Sequence, residues 1–279
     1  MEKKASFVDL IKHFIEKGNI VLPVFNSAAL KVQQELVKKE PDTRVLVNII
    51  SGDQSLSSQV LQMANSSFYM GLVEVLTVQA AIVRLGIREV GRISLLSASK
   101  NQFHSKDKEH KQIMRKLWQH SVGCAMGAKW LAKRSGLEEL ESEAFFAALF
   151  HDVGKLFVLM VIEQMKKKNS TIRTTSSLLS EAMVSLHTEQ GYNLMKKWNI
   201  PEKYCVIARD HHRDDFNTKN LLLALVRVAD RVCNKIGIGL QKQSDLVVSS
   251  LEEAHLLSLS EIDLAELEIL LEDTKVLTA

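Results

Sequence analysis

The chain has 279 residues, of which 46% are hydrophobic and 6% aromatic, and its formal net charge is +3. This length suits one large domain or two modest ones, and the scarcity of aromatic residues, with only three prolines, favours helices over a β-sandwich or barrel. Three widely separated cysteines without a CxxC motif argue against a disulfide framework or a zinc knuckle, which fits a reduced, cytoplasmic compartment.

Apolar runs are interrupted by charge before the ~18 residues that a membrane span needs, and the N-terminus lacks the apolar segment of a signal peptide. We therefore expect no membrane association. Residues 245–279 contain nine acidic residues and one lysine, so they carry −8 and the remainder carries +11. We interpret them as an acidic, solvated helix on a mildly basic body. Basic residues are dispersed, with one triplet at Lys166-Lys167-Lys168 and no interleaved aromatics, which disfavours nucleic acid as a partner.

Apolar residues recur at helical spacing through the first hundred residues. The predicted helices are 7–18, 26–39, 42–52, 53–64, 77–86 and 87–98. They form an N-terminal bundle within residues 1–105. Residues 100–111 are polar and connect two modules, as a loop or as the first turns of a long helix, with His104 and His110 in solvent.

The second half has the same helical periodicity. Its predicted helices are 112–134, 142–151, 155–167, 181–198, 201–210 and 221–235. They form a helical core within residues 106–240, and the acidic tail, residues 241–279, adds one helix from about residue 260. The fold class is therefore all-α.

The pair His151-Asp152 directly follows the apolar run 144–149. A histidine and a carboxylate are costly to bury unless something pairs with them. A metal ion is a suitable partner because imidazole and carboxylate both bind first-row metals. The alternative is that Asp152 only caps the next helix, with Gly154 easing a bend.

Four further histidines and one aspartate lie on neighbouring predicted helices: His120, His187, His211, His212 and Asp230. Each alone has an ordinary explanation, as a hydrogen-bonded core histidine, as a cap for a helix C-terminus, or as a partner of Arg227 or Arg231. Together, on one bundle, they predict two divalent metal ions that share a bridging carboxylate, with positions left for water or substrate. Iron, manganese, nickel and zinc fit these ligands about equally.

The order of these residues resembles the HD superfamily of metal-dependent phosphohydrolases, and more closely the HDOD proteins, which are bacterial signalling relatives of that superfamily. The resemblance covers roughly residues 5–240. The matching segments are Leu22-Pro23, 64–66, 80–86, 117–121, 187–191, 197–201 and His211-His212.

This resemblance implies a helical N-terminal bundle packed on an HD-type helical core. By similarity, His120, His151, Asp152 and Asp230 hold one metal ion. As in the HD-GYP branch, which hydrolyses cyclic di-GMP, Asp152 bridges to a second ion held by His187, His211 and His212. Lys155 would face the substrate phosphate, which makes Lys155 and Asp152 the candidate catalytic residues. The GYP signature itself is absent.

Two functions follow from the resemblance. The first, which we prefer, is a regulatory or scaffold module in signal transduction that binds metal, with a signalling protein or a nucleotide or phosphate ligand as partner. The alternative is an active dinuclear phosphohydrolase acting on a nucleotide or cyclic dinucleotide.

Overall fold

The computed structural model describes residues 6–274, apart from residues 19, 24, 67, 68, 70, 72, 101 and 106. Within this part of the chain every regular element is a helix, which confirms the predicted all-α fold. The helices are α1 (Phe7–Glu16), α2 (Ser27–Leu36), α3 (Thr43–Ser51), α4 (Gln54–Ala64), α5 (Val78–Leu85), α6 (Ile87–Lys100), α7 (Lys108–Arg134), α8 (Glu141–Phe150), α9 (Val153–Lys168), α10 (Ser176–Lys197), α11 (Glu202–Asp210), α12 (Leu221–Lys235), α13 (Glu252–Leu256) and α14 (Glu261–Thr274).

Local capping chemistry sets several of these boundaries. The side chains of Asn26, Asp42 and Asp53 accept hydrogen bonds from backbone N–H groups in the first turns of α2, α3 and α4. Thr77 does the same for α5, and Gly86 ends that helix with φ +85°, a conformation that favours glycine. These starts and stops agree with the sequence prediction.

The main differences from the prediction are two helix boundaries and one additional helix. Helix α2 ends at Leu36 rather than near residue 39, because Pro41 disfavours helix before it and the Glu35 carboxylate accepts from the backbone N–H of Asp42. Helix α10 begins at Ser176, five residues early, because Thr175 in the Ser/Thr-rich stretch caps it. The acidic tail contains α13 in addition to the one predicted helix, α14.

The connection before α7 combines both predicted alternatives, since it is irregular up to Asp107 and helical from Lys108. His104 is exposed, as predicted, but the prediction of a solvated His110 is wrong, because His110 is fully buried. Its Nδ1 lies 3.0 Å from Oε1 of Glu163 on α9, fifty-three residues further along the chain. A partner that distant in sequence leaves no local pattern.

The second half of the chain is organised around α7, which packs on α8, α12 and α14. Small residues allow the closest contacts. Gly127 of α7 faces Leu267 and Leu271 of α14, and Gly154 of α9 meets the backbone of α10 at Gly191. The tail is therefore an acidic helix packed on the core, as predicted. An ion pair between Lys235 of α12 and Glu268 of α14 joins it to the core.

In the N-terminal part, α6 packs against α2, α4 and α5, and both α2 and α6 reach α8. The Gln33 amide donates to the carbonyl of Ser142 and to the hydroxyl of Tyr204, which ties α2 to the second half. Helix α1 packs on α9 and α10. The division into residues 1–105, 106–240 and 241–279 stays a prediction.

One stretch in the described part of the chain, residues 138–168, is long and apolar enough to cross a membrane by length and composition. The sequence prediction missed it because His151 and Asp152 interrupt the apolar run. Its most apolar window is 89% buried inside the molecule, which is typical of core helices in a soluble protein.

Candidate metal centre

All seven predicted metal ligands lie at one place, where five elements of the second half converge. His120 is in the middle of α7, His151 and Asp152 form the junction of α8 and α9, and His187 is on α10. His211 and His212 follow α11, and Asp230 lies on α12. Six of them are between 1% and 4% exposed, and His212 opens to solvent.

The ligand atoms form two groups that each could hold a metal ion, with all atoms of a group within 4.8 Å of one another. One group contains His120, Cys124, His151 and Asp230. The other contains Asp152, His187, His211 and His212. Their composition follows the predicted division of ligands with two differences: Cys124 joins the first group, and Asp152 falls in the second group only.

Asp152 stands between the two groups. Its Oδ2 lies 3.4 Å from Nε2 of His120 and 3.6 Å from Nε2 of His151, and its Oδ1 lies 3.5 Å from Nε2 of both His187 and His211. These separations are long for hydrogen bonds, whose N···O distance is about 2.7–3.2 Å. They are close to the about 3.0–3.5 Å expected between two ligands of one ion at ordinary zinc–ligand distances. The spacing therefore fits a carboxylate that bridges two ions.

The histidine rings are held in the orientation that metal ligation requires. Four of the histidines each have Nδ1 within hydrogen-bond distance of a backbone carbonyl: His120, His151, His187 and His211. Such a contact places a proton on Nδ1 and directs Nε2 to the centre, where Nε2 can bind a metal ion once it carries no proton. For His211 the carbonyl belongs to α11, so the predicted capping contact exists and leaves Nε2 free.

Four buried atoms at the centre have no hydrogen-bond partner among the described residues: Nε2 of His151, His187 and His211, and Oδ1 of Asp152. An unsatisfied buried polar atom costs about 1–3 kcal/mol. Asp152 occupies the N-cap position of α9, but its side chain makes no capping hydrogen bond, so capping alone does not explain it. One cation in each group of ligands would together satisfy all four atoms.

Burial and charge set the protonation of the centre. Burial lowers the pKa of His187 to about 4 and that of His211 to about 3, so both rings are neutral and ready to bind metal at neutral pH. Burial would raise the pKa of Asp152, but the charge of Lys155 and the contacts of the surrounding histidines together outweigh it, so the pKa of the carboxyl lies well below its usual range. Burial would lower the pKa of His120, but the hydrogen bond to Asp230 and the charges of Asp152 and Asp230 raise it to about 9.

A pocket of about 380 Å³ opens onto this centre. Lys155, Arg231 and Asn234 line it beside the ligands, and Nζ of Lys155 lies 2.5 Å from Oδ2 of Asp152. The charges of Asp152 and Asp230 outweigh burial and raise the pKa of Lys155, so its ammonium stays charged. Every lining residue in the described chain lies at or beyond Leu117, so the N-terminal bundle leaves the pocket open.

Two contributors to the site were not predicted. Cys124 lies one helical turn after His120, a spacing that sequence analysis could have used. The segment after α12 also reaches the centre, where the Ile238 carbonyl contacts His120 Nδ1 and Gln241 and Gln243 line the pocket. No ligand-like sequence pattern marks that segment.

The predicted alternative in which Asp230 pairs with Arg227 is wrong. The Arg227 guanidinium binds the carboxylate of Glu253 and the carbonyls of His211 and Arg213. Asp230 instead accepts from the Asn234 amide at 2.9 Å and faces His120 at 3.1 Å.

The helices and the two adjoining His/Asp groups define an all-α protein with a buried cluster of potential metal ligands. The HDOD domain matches residues 22–214, and the chain belongs to the HDOD family. Helix α12, with Asp230, lies beyond the matched residues.

Solved structures with this fold include an HDOD protein of unknown function from Geobacter sulfurreducens, with 22% identity, coverage of 97% of this chain and 95% of that one, and a TM-score of 0.72. A Shewanella amazonensis SB2B protein, provisionally named a metal-dependent phosphohydrolase, is 18% identical, with coverage of 90% and 86% and a TM-score of 0.60. A Marinobacter aquaeolei VT8 protein, provisionally named a signal transduction protein, is 20% identical, with coverage of 100% and 61% and a TM-score of 0.68. At these identities the similarity shows the fold.

An uncharacterised protein of Treponema pallidum (strain Nichols) is 24% identical over 196 residues. The match takes in 68% of this chain and 37% of that protein, so the chain spans well under half of the relative's length.

Proposed function

We propose that this chain is a bacterial signal-transduction module of the HDOD family that holds a dinuclear transition-metal site and acts in a regulatory or scaffold role in the cytoplasm. The observation that carries this proposal is the set of four unpartnered, buried donor atoms around Asp152. Neutral imidazoles and an ionised carboxylate are the donor set that divalent first-row metals prefer.

In this proposal one ion would be held by His120, His151 and Asp230. The other would be held by His187, His211 and His212, and Asp152 would contribute to both. The ions would be iron, manganese, nickel or zinc. The partners would be a signalling protein or a nucleotide or phosphate ligand, and nucleic acid is not expected among them. The provisional name of the Marinobacter relative is in keeping with the signalling role.

The open pocket favours a second candidate function, a metal-dependent phosphohydrolase, in keeping with the provisional name of the Shewanella relative. Metal ions bound at such a centre clamp a phosphate and lower the pKa of a bound water. The chain would supply the Lys155 ammonium and the Arg231 guanidinium as cations for phosphate oxygens. Asp152 would hold Lys155 in place through its 2.5 Å contact.

The metal content of Asp152→Asn tests the dinuclear site. We expect the wild-type chain, purified without chelator, to carry two ions per chain by elemental analysis. The variant should keep its helical content by circular dichroism and lose most of both ions, because Asp152 faces both groups of ligands. Asp245→Asn, at an exposed position, is the control and should bind metal normally. A wild-type chain that is metal-free would contradict the proposal.

A hydrolysis screen separates the two functions. The metal-loaded chain is incubated with nucleotides and cyclic dinucleotides, and phosphate release and product formation are measured. Turnover that disappears in Lys155→Ala, with its metal content unchanged, would establish the hydrolase. Stoichiometric ligand binding without turnover would support the regulatory module.

A further inference from the structure

Cys124 lies on α7 one turn after His120, and its side chain is completely buried. Its Sγ is 3.5 Å from Nε2 of His120. The same sulfur lies within 4.8 Å of the ligand atoms of His151 and Asp230. A buried cysteine commonly packs as a small apolar side chain, but this one faces the donor atoms of a metal centre.

The distance between sulfur and nitrogen fits shared coordination. A nitrogen about 2.1 Å and a sulfur about 2.3 Å from one ion lie about 3.1–3.8 Å apart when the angle between them is about 90–120°. The observed 3.5 Å falls within this range. An independent observation points to the same position, because Nε2 of His151, a residue 1% exposed, has no hydrogen-bond partner among the described residues.

We propose that Cys124 supplies a thiolate ligand to the metal ion held by His120, His151 and Asp230. This inference rests on the metal site of the proposed function and goes beyond the histidine and aspartate ligands of that site. Binding forms a metal–sulfur bond, and the thiol proton leaves to solvent. No electron is transferred.

A thiolate ligand changes which metal ions bind most tightly at the position formed by His120, His151 and Asp230. Thiolate ligands select ions such as Zn²⁺ and Fe²⁺, whereas sites rich in carboxylate and water suit Mn²⁺. The two positions then differ, since the group around His187 has imidazole and carboxylate donors only.

Titration of the metal-free full chain with Co²⁺ tests the ligand directly. The wild-type spectrum should develop a near-ultraviolet thiolate-to-cobalt charge-transfer band, and Cys124→Ser should bind cobalt without it. We also expect Cys124→Ser to weaken Zn²⁺ binding at one of the two positions by at least about tenfold. Replacing a residue that only hydrogen-bonds to a metal ligand already lowers metal affinity by about 10–100-fold.

Two control variants distinguish the three thiols. Cys233→Ser removes the neighbouring buried thiol, and Cys205→Ser removes one that instead donates to the Ile200 carbonyl. Both should keep the band. A band lost in Cys233→Ser and kept in Cys124→Ser would overturn the assignment.

X-ray absorption at the zinc edge of the wild-type chain gives an answer that does not depend on whether a variant folds. A sulfur scatterer at about 2.3 Å is expected. Zinc bound with only nitrogen and oxygen neighbours overturns the role of Cys124 and leaves the dinuclear site standing. A chain that binds neither cobalt nor zinc overturns both proposals.

Discussion

At the scale of single residues, Asp152 is constrained by contacts on both sides of its carboxylate. Its two carboxylate oxygens face different groups of imidazoles, at 3.4–3.6 Å on one side and 3.5 Å on the other. Lys155, one turn later, keeps the carboxylate ionised in a buried position. The HDxxK spacing of the sequence thus places an anion, its counter-charge and an imidazole within a single turn.

Gly154 is equally constrained, but by space. A Cβ at this position would lie 1.9 Å from the carbonyl oxygen of His187 and 2.7 Å from the backbone nitrogen of Gly191. We expect Gly154→Ala to lower the free energy of unfolding by roughly 3 kcal/mol or more, the upper end for overpacked cores, because α9 and α10 must separate. Urea denaturation measures this.

Gly127→Ala is the matched control, since its added Cβ would meet its nearest neighbours at 3.4 Å, an ordinary contact. Its stability should change by less than about 1 kcal/mol. Equal effects of the two alanines would show that the α9–α10 contact is not tight.

At the scale of elements, α7 connects the parts of the molecule. It carries His120 and Cys124, receives α14 at Gly127, and contacts α6 through an ion pair between Lys129 and Glu89. Glu89 also binds Arg92 at 3.0 Å and accepts from the Tyr69 hydroxyl at 2.7 Å. The N-terminal helices therefore meet the core at a charged cluster as well as at apolar contacts.

This cluster predicts a specific pH dependence. Burial would raise the pKa of Glu89, but Lys129 and Arg92 outweigh it and lower the pKa below the unfolded value of about 4.3. The resulting stability is complete above the unfolded pKa and is lost as the pH falls through the folded pKa. Glu89→Gln should therefore be less stable by about 1–3 kcal/mol at pH 7, and the difference should shrink below about pH 4.

Urea midpoints between pH 7 and pH 3.5 check this expectation. Glu74→Gln is the control, because Glu74 is exposed and has no ion pair with any residue in the described part of the chain. A stability difference for Glu89→Gln that stays constant down to pH 3.5 would contradict the role of the carboxylate.

At the scale of the whole molecule, the candidate centre joins α7, the α8–α9 junction, α10, α11 and α12. Metal that binds the folded state and not the unfolded chain stabilises it by RT ln(1 + [L]/Kd), about 2.7 kcal/mol at a hundred times Kd. Chelation should therefore lower the Tm by roughly 5–10 °C, and returning the metal should restore it. Scanning calorimetry measures this shift.

Asp152→Asn provides the comparison for chelation. Because it should bind little metal, its Tm should not respond to chelator. A wild-type Tm that is the same with and without chelator would indicate that the centre holds no ion tightly enough to stabilise the fold.

The sequence by itself determined the helices, because periodicity and caps are local, and its resemblance to HDOD proteins supplied the candidate site residues. Apolar periodicity and caps such as Asp42 and Thr77 set the helices, and the adjacency of His151 and Asp152 marked the centre. Only the tertiary structure decided which residues meet. It brought Glu163 to His110, Glu253 to Arg227 and Cys124 to the candidate metal ligands. Side chains far apart in sequence meet only when helices pack, and a linear pattern does not record that packing.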